Sequence, residues 1–105
     1  MTETEFNTLA DALLLRIEEA LEASGLDLEF ETASGILTIE FEDGSKVIVN
    51  RQTPNREIWV AARSGGFHFR KEGGEWVDTR GGKPLFPLLR EVVAKQAGSA
   101  AEPEL

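Results

Sequence analysis

The sequence predicts an α+β fold, a two-layer sandwich in which the N- and C-terminal helices cover one face of an antiparallel sheet of about six strands. Apolar residues recur with a helical period near both ends of the chain and with a period of two between them. Glycine pairs and other turn signals divide the middle region into short strands, spaced as in a meander. We therefore expect the order helix, strands, helix, with the second face of the sheet open to solvent.

The first helix is predicted over residues 5–23. Thr2 and Glu5 have the spacing of a capping box, and Gly25 supplies the stop. The apolar positions recur at helical spacing and fall on one arc: Phe6, Leu9, Ala10, Leu13, Ile17, Ala20 and Leu21. Leu15 lies outside this arc, among acidic residues, and is expected to be exposed.

Six strands follow, each next to a turn signal. They are predicted at Leu28–Thr32, Ile36–Glu42, Lys46–Arg51, Glu57–Arg63, Phe67–Lys71 and Glu75–Thr79. Asp43-Gly44 is a strong hairpin signal, and Gly65-Gly66 is interpreted as a turn. The second helix is predicted over Pro84–Ala97, with its prolines in the first turn and Gly98 at its end.

Length and composition indicate one globular domain. With 105 residues, 41% of them apolar, the chain is large enough to form a stable hydrophobic core without disulfides or structural metals. We expect residues 1–98 to form this domain and the small, polar residues 99–105 to be a disordered tail. Cysteine is absent, which excludes disulfides, thiolate metal sites and a cysteine nucleophile. No apolar run approaches the roughly 20 residues of a membrane span, so no membrane partner is expected.

Charge is distributed unevenly along the chain, whose net charge is −8. Residues 1–43 contain twelve acids and one base, whereas residues 44–105 contain ten bases and seven acids. A negative field of this kind attracts cations or a basic partner. It argues against nucleic acid as the main partner, because phosphate binding needs clustered Lys and Arg.

The N-terminal acids are predicted to form a ridge. Acids of the first helix align opposite its apolar arc, and acids of the first strand alternate with apolar residues. These acids are Asp11, Glu18, Glu19 and Glu22 on the helix, and Glu29 and Glu31 on the strand. If the strand lies beside the helix, the ridge is continuous and can bind hard cations such as iron or magnesium, weakly, since no closed ligand shell is formed. The alternative is a solvated face that aids solubility.

The solvent face of the sheet is the second candidate surface. Alternation places Trp59 and His68 on this face, and it gives Asn50 and Gln52 the parity opposite to the apolar residues of their strand. An exposed tryptophan among hydrogen-bonding groups has the composition of a protein-binding hot spot. The alternative is a tryptophan shielded by a neighbouring loop. As the only histidine, His68 is a poor metal site and is expected to have a surface or packing role.

The chain shows no pattern typical of an enzyme, and we expect it not to be one. Its glycine pairs are not followed by helices, which argues against a phosphate-binding loop. Paired carboxylates need a cleft for acid–base catalysis, and an exposed ridge does not provide one.

The run VNRQTPNREIW at residues 49–59 resembles the frataxin family. The runs GFHF at residues 66–69 and EW at residues 75–76 reinforce the resemblance. N-terminal segments, among them GILTI at residues 35–39, look like those of bacterial members, and the likeness runs in order from about residue 5 to 97.

This resemblance implies a frataxin-like fold and a regulatory adaptor role in iron-sulfur cluster assembly. It implies weak surface binding of Fe(II) and Fe(III), and contact with a cysteine desulfurase and its scaffold protein. Carried over by position, the iron contacts are Asp11, Glu18, Glu19, Glu22, Asp27, Glu29 and Glu31. The implied partner surface consists of Glu18, Glu19, Glu22, Asn50, Gln52 and Trp59.

Two other functions stay open. One is ferroxidase or iron-storage activity, which needs closely spaced metals held by bridging ligands. The other is a pure protein-interaction module whose acids serve solubility. We expect a monomer that can associate when loaded with iron. The acidic N-terminus lacks the features of a targeting segment, which favours the cytoplasm of a bacterium over a mitochondrion.

Overall fold

The computed structural model describes residues 1–98, so the predicted disordered tail at residues 99–105 lies outside the described residues. Along the chain, helix α1 (Glu3–Ala23) precedes six strands and helix α2 (Leu85–Ala97) follows them. These are β1 (Leu28–Ala33), β2 (Ile36–Phe41), β3 (Lys46–Gln52), β4 (Glu57–Ala62), β5 (Gly65–Glu72) and β6 (Glu75–Asp78). They pair antiparallel in chain order, which confirms the predicted meander and the α+β fold.

Helix α1 begins at the predicted capping box. The Glu5 backbone N–H donates to Thr2 Oγ1 at 3.1 Å, and the Thr2 backbone N–H donates to Glu5 Oε1 at 2.9 Å. These bonds to Thr2 lower the pKa of Glu5 below its ordinary value. The helix ends beside Gly25, whose φ of +71° suits glycine.

The core lies between both helices and one face of the sheet. Both helices and the sheet contribute its largest fully buried side chains. These are Phe6 and Ile17 of α1, Leu37, Ile39, Val47, Val49, Ile58, Val60 and Phe69 of the sheet, and Leu85, Leu89 and Val93 of α2. Trp76 is also buried and meets the Phe6 ring edge-on, with 6.1 Å between ring centroids. The buried arc of α1 differs from the predicted one, since Leu14 is buried whereas Leu9 and Ala20 are half-buried. The arc is centred near Ile17, which leaves Leu9 and Ala20 at its margin.

Two turn predictions were wrong in detail. Gly65 and Gly66 are paired residues of β5, opposite Ala62 and Ala61, because the hairpin turns more tightly at residues 63–64. Pro84 is the N-cap of α2 and not part of its first turn, since it forms a bridge with Val77 beside the sheet. Among residues 1–98 no helix has the length and apolar character needed to cross a membrane.

Candidate functional site

The face of the sheet that the helices leave uncovered is organised in rows across the strands. One row contains Ile36 of β2, Asn50 of β3, Trp59 of β4 and His68 of β5, each paired with the next. We call these four residues the tryptophan row. Gln52 lies in the adjacent row, opposite Glu57. The three predicted partner-binding residues of the sheet therefore lie on one face, as alternation indicates.

Trp59 is held from two directions. Its indole ring stacks on the His68 ring, with 4.3 Å between centroids and 11° between planes. Its Nε1 donates a hydrogen bond to Glu57 Oε1 at 2.8 Å. The half-buried Trp59 is therefore packed against a residue of the neighbouring strand, and the exposed His68 agrees with the surface or packing role expected for it.

Glu57 is a functional candidate that the sequence reasoning missed. It is only 9% exposed although it lies on the solvent side of the sheet. Its carboxylate lies 3.6 Å from Arg70 Nη2 and 4.0 Å from His68 Nδ1, in addition to its bond with Trp59. The sequence contained a signal for its position, because Glu57 precedes Trp59 by two residues on the same strand. Side chains at this spacing lie on the same face of a sheet.

The acids of α1 do not form one group. Glu18 Oε2 accepts a hydrogen bond from Thr32 Oγ1 at 2.6 Å, which ties this part of the helix to β1. Glu19 and Glu22 are exposed on the same half of the helix. Asp11 instead lies 2.8 Å from Arg51 Nη1, so a base balances its charge, away from the contact with β1.

The remaining predicted iron ligands surround the start of β1. Glu29 is directly opposite Glu40 of β2, and Glu31 is opposite Thr38. A shallow depression of about 340 Å³ is lined by residues 27–29 and 40–42, among which are four acids, Asp27, Glu29, Glu40 and Glu42. Like charges facing each other across strands repel, so this depression favours a bound cation. Glu40 and Glu42 were missed as candidates, although Glu40 alternates with the core residues of β2.

We call the acids around β1 the acidic edge, of which Glu18 is half-buried and the others are exposed: Glu18, Glu19, Glu22, Asp27, Glu29, Glu31, Glu40 and Glu42. They flank β1 from both sides, because Thr32 faces the helix layer whereas Glu29 and Glu31 face the uncovered side. Within residues 1–98, no three acid or histidine side chains converge as a metal-holding group. The acidic edge thus offers oxygen ligands without a closed shell.

Asp43 directly follows Glu42, the last acid of the acidic edge, and differs from these acids in its hydrogen bonds. It accepts hydrogen bonds from the hydroxyl and backbone N–H of Ser45, at 2.6 and 2.9 Å, and from Arg63 Nη2 at 2.6 Å. Because these bonds favour the charged form, with the Ser45 hydroxyl contributing most, the pKa of Asp43 falls to about 2.

The amino-acid sequence is similar to those of known proteins. Residues 1–99 match the family model of the frataxin-like domain. The chain is 54% identical over 101 residues to the iron-sulfur cluster assembly protein CyaY of Dechloromonas aromatica, covering 95% of this chain and 96% of that protein. It is 47% identical over 97 residues to the CyaY protein of Vibrio cholerae, covering 92% and 93% of the two chains.

Solved structures show the same fold. Frataxin from Psychromonas ingrahamii matches with a TM-score of 0.90 at 36% identity, over 97% of each chain. Trimeric frataxin from Saccharomyces cerevisiae, described as complexed with ferrous iron, matches with a TM-score of 0.69 at 33% identity, over 94% of this chain and 88% of that one. By family model, sequence identity and fold, this chain belongs to the frataxin family.

Proposed function

We propose that this protein is an iron-binding regulatory adaptor of iron-sulfur cluster assembly and not an enzyme. The names of its bacterial relatives support the pathway, and the yeast structure with ferrous iron supports iron as the ion. The observation that carries the proposal is the proximity of two unlike surfaces. Acids of β1 and β2 and the tryptophan row occupy the same uncovered face of one sheet.

Iron is bound as cargo, weakly and at the surface. The four carboxylates around the depression near β1 supply hard oxygen ligands of the kind that iron accepts. Because no three ligands converge in residues 1–98, water completes the coordination of each ion. Ions held in this way exchange readily, which suits delivery or sensing better than storage.

The partner is a cysteine desulfurase together with its scaffold protein. A basic surface on that complex is drawn to the acidic edge, which raises the association rate and makes it dependent on salt. The tryptophan row then makes the short-range contact. Trp59 supplies a large ring already fixed by His68 and Glu57, with Asn50 and Gln52 beside it as hydrogen-bonding groups.

The geometry favours this adaptor role over ferroxidase activity. Oxidation of paired iron ions needs bridging ligands around closely spaced metals, whereas the acids here flank β1 on two sides. Oxygen consumption with Fe(II) is therefore expected to match a protein-free control. Consumption well above that control would favour the enzyme. We propose a monomer acting in the bacterial cytoplasm, with association on iron loading as a further property.

A pair of matched charge reversals tests the electrostatic part. We compare the double variant Glu19→Lys, Glu22→Lys with the double variant Glu72→Lys, Glu75→Lys, which has the same charge change at the opposite edge of the sheet. All four side chains are exposed. Binding to the desulfurase is measured at low and at high salt.

The first variant is expected to bind at least about tenfold more weakly at low salt, with the difference shrinking at high salt. The second is expected to bind nearly as the native protein does. Equal losses in both would show a general effect of net charge, and no loss in the first would contradict the proposed role of the acidic edge. Paramagnetic broadening by Fe(II), expected at the acidic edge, tests iron binding separately.

A further inference from the structure

A groove lies on the far side of the molecule from the acidic edge. It is formed by α1, the start of α2 and the β5–β6 hairpin, and has a volume of about 420 Å³. Its wall includes Leu9, Trp76 and Phe86, and its bases are Arg16, Lys71 and Arg90. The hairpin is at the opposite edge of the sheet from β1, so the groove shares no residue with either surface described above.

The charge of this groove is opposite to that of the chain. Three bases and one acid, Glu75, line it, whereas the protein as a whole carries −8. Arg16 is the only base among residues 1–43, and it lies at this groove. An anion repelled by the rest of the surface would therefore be favoured here.

Two of the bases lie over the aromatic wall. The guanidinium carbon of Arg16 is 4.1 Å from the centroid of the Phe86 ring. Lys71 Nζ is 5.6 Å from the Trp76 ring and also donates to the Gly74 carbonyl at 3.3 Å. Cation–π contacts of this kind hold each charge at the boundary between the apolar wall and solvent. The groove thus presents an apolar floor and cationic rims together.

We propose that this groove binds a small organic anion with an apolar body and one carboxylate or phosphate head. The head would lie at Arg16 and Lys71, where charge-assisted hydrogen bonds are available. The body would lie against Leu9, Trp76 and Phe86. The volume lies within the range of small-molecule sites, and a few polar groups beside an apolar wall are typical of them. Inorganic phosphate would make no contact with the apolar wall, and a neutral alcohol would form no charge-assisted bond with Arg16 or Lys71.

The test uses four probes with the full chain, followed by backbone amide shifts in NMR spectra. Hexanoate and hexyl phosphate carry the two possible heads, hexanol lacks the charge, and inorganic phosphate lacks the body. Hexanoate or hexyl phosphate is expected to shift signals of Leu9, Arg16, Trp76 and Phe86 in a saturable way. Hexanol and inorganic phosphate are each expected to bind at least about tenfold more weakly. The better of the two charged probes identifies the head group.

Variants locate the site. Arg16→Gln and Lys71→Gln are each expected to weaken binding of the preferred probe by about tenfold, because each removes one charged donor. Phe86→Ala is expected to weaken it by removing apolar contact. Arg80→Gln is the matched control, since this exposed arginine lies outside the groove. If Arg16→Gln disturbs the fold, as its spectrum would show, Lys71→Gln decides.

The proposal is overturned if hexanol binds as well as hexanoate, if the shifts spread over the surface, or if Lys71→Gln binds as the native protein does. It is also overturned if neither charged probe binds at millimolar concentration. None of these results bears on iron or desulfurase binding, because the groove and the two surfaces of the proposed function have no residue in common.

Discussion

The tryptophan row and the strand acids of the acidic edge share one side of the sheet but are built in opposite ways. In the row, Trp59 stacks on His68 at 4.3 Å and bonds to Glu57 at 2.8 Å, so each group fixes its neighbour. At the acidic edge, Glu29 faces the like charge of Glu40 across the strands. One region is a network of mutually satisfied contacts, and the other is a set of charges held near each other by the fold.

This difference separates two tasks of recognition. An aromatic side chain that is already held in place before binding loses little conformational freedom when the partner binds, so most of its contact energy is retained as affinity. Exposed carboxylates act at longer range, and their effect weakens as salt rises. We therefore expect the row to determine how long a partner stays and the acidic edge to determine how fast it arrives and which ions accompany it.

The largest expected effect is that of Trp59→Ala on desulfurase binding. Removing the ring from the centre of the row is expected to cost about 2 kcal/mol or more, or roughly 30-fold in affinity. The loss should be nearly the same at low and at high salt, because no charge is removed. Titration calorimetry at two salt concentrations measures both quantities.

Trp59→Phe is the control for this effect. It keeps an aromatic ring for His68 but has no N–H for Glu57. An intermediate loss is expected. If Trp59→Ala binds as tightly as the native protein, the row is not the partner surface, and the comparison between the two regions fails.

The second effect concerns Glu57 and requires no partner. Glu57→Ala is expected to lower the free energy of unfolding by about 1–2 kcal/mol, since Trp59 Nε1 loses its acceptor and Arg70 loses a nearby carboxylate. Glu57→Gln keeps an acceptor oxygen and should cost less. Urea unfolding measures the stability, and the indole N–H resonance of Trp59 should move in the alanine variant. An unmoved resonance would show that Glu57 does not hold the ring.

The fold could be predicted from the sequence because its signals are local. Apolar periods of 3.6 and two, the Thr2 capping box and the Asp43-Gly44 hairpin each depend on a few neighbouring residues. The details that failed depend on tertiary contacts. Pro84 leaves the first turn of α2 because it bridges to Val77, a residue of another element.

The candidate site could be predicted only in part, for the same reason. Parity placed Asn50, Gln52 and Trp59 on one face, but the ring of His68 and the buried carboxylate of Glu57 become partners only once β4 and β5 are in register. The pairing of Asp11 with Arg51 joins residues 40 positions apart and has no local signal. Sequence reasoning therefore identified the charges of the acidic edge better than their arrangement.

The third effect tests the acidic edge through stability. About 10 mM MgCl2 is expected to raise the melting temperature more than about 30 mM NaCl, which has the same ionic strength. A cation that binds only the folded form adds on the order of 1 kcal/mol when it exceeds its dissociation constant several-fold, or roughly 4–8 °C. Differential scanning fluorimetry measures the shift.

The double variant Glu29→Gln, Glu40→Gln removes the two carboxylates that face each other across β1 and β2. It is expected to melt at a higher temperature than the native protein without magnesium, since the repulsion is relieved. It should also respond less to magnesium. An unchanged magnesium response in this variant would place the cation elsewhere.

The smallest effect comes from Asp43, an acid next to the acidic edge that is held as the tryptophan row is held. Its bonds with Ser45 and Arg63 depress its pKa to about 2 from an ordinary value of 3.8. A depressed pKa stabilises the folded state at pH values above the unfolded-state value, and this contribution is lost as pH falls toward the folded-state value. Asp43→Asn should therefore lower the melting temperature by roughly 2 °C at neutral pH, and the difference should narrow between about pH 4 and 2.

Glu42→Gln removes the same charge from the adjacent exposed residue and corrects for net charge. If both variants behave alike at every pH, the bonds to Asp43 add nothing to stability, and this carboxylate belongs with the open acids of the edge.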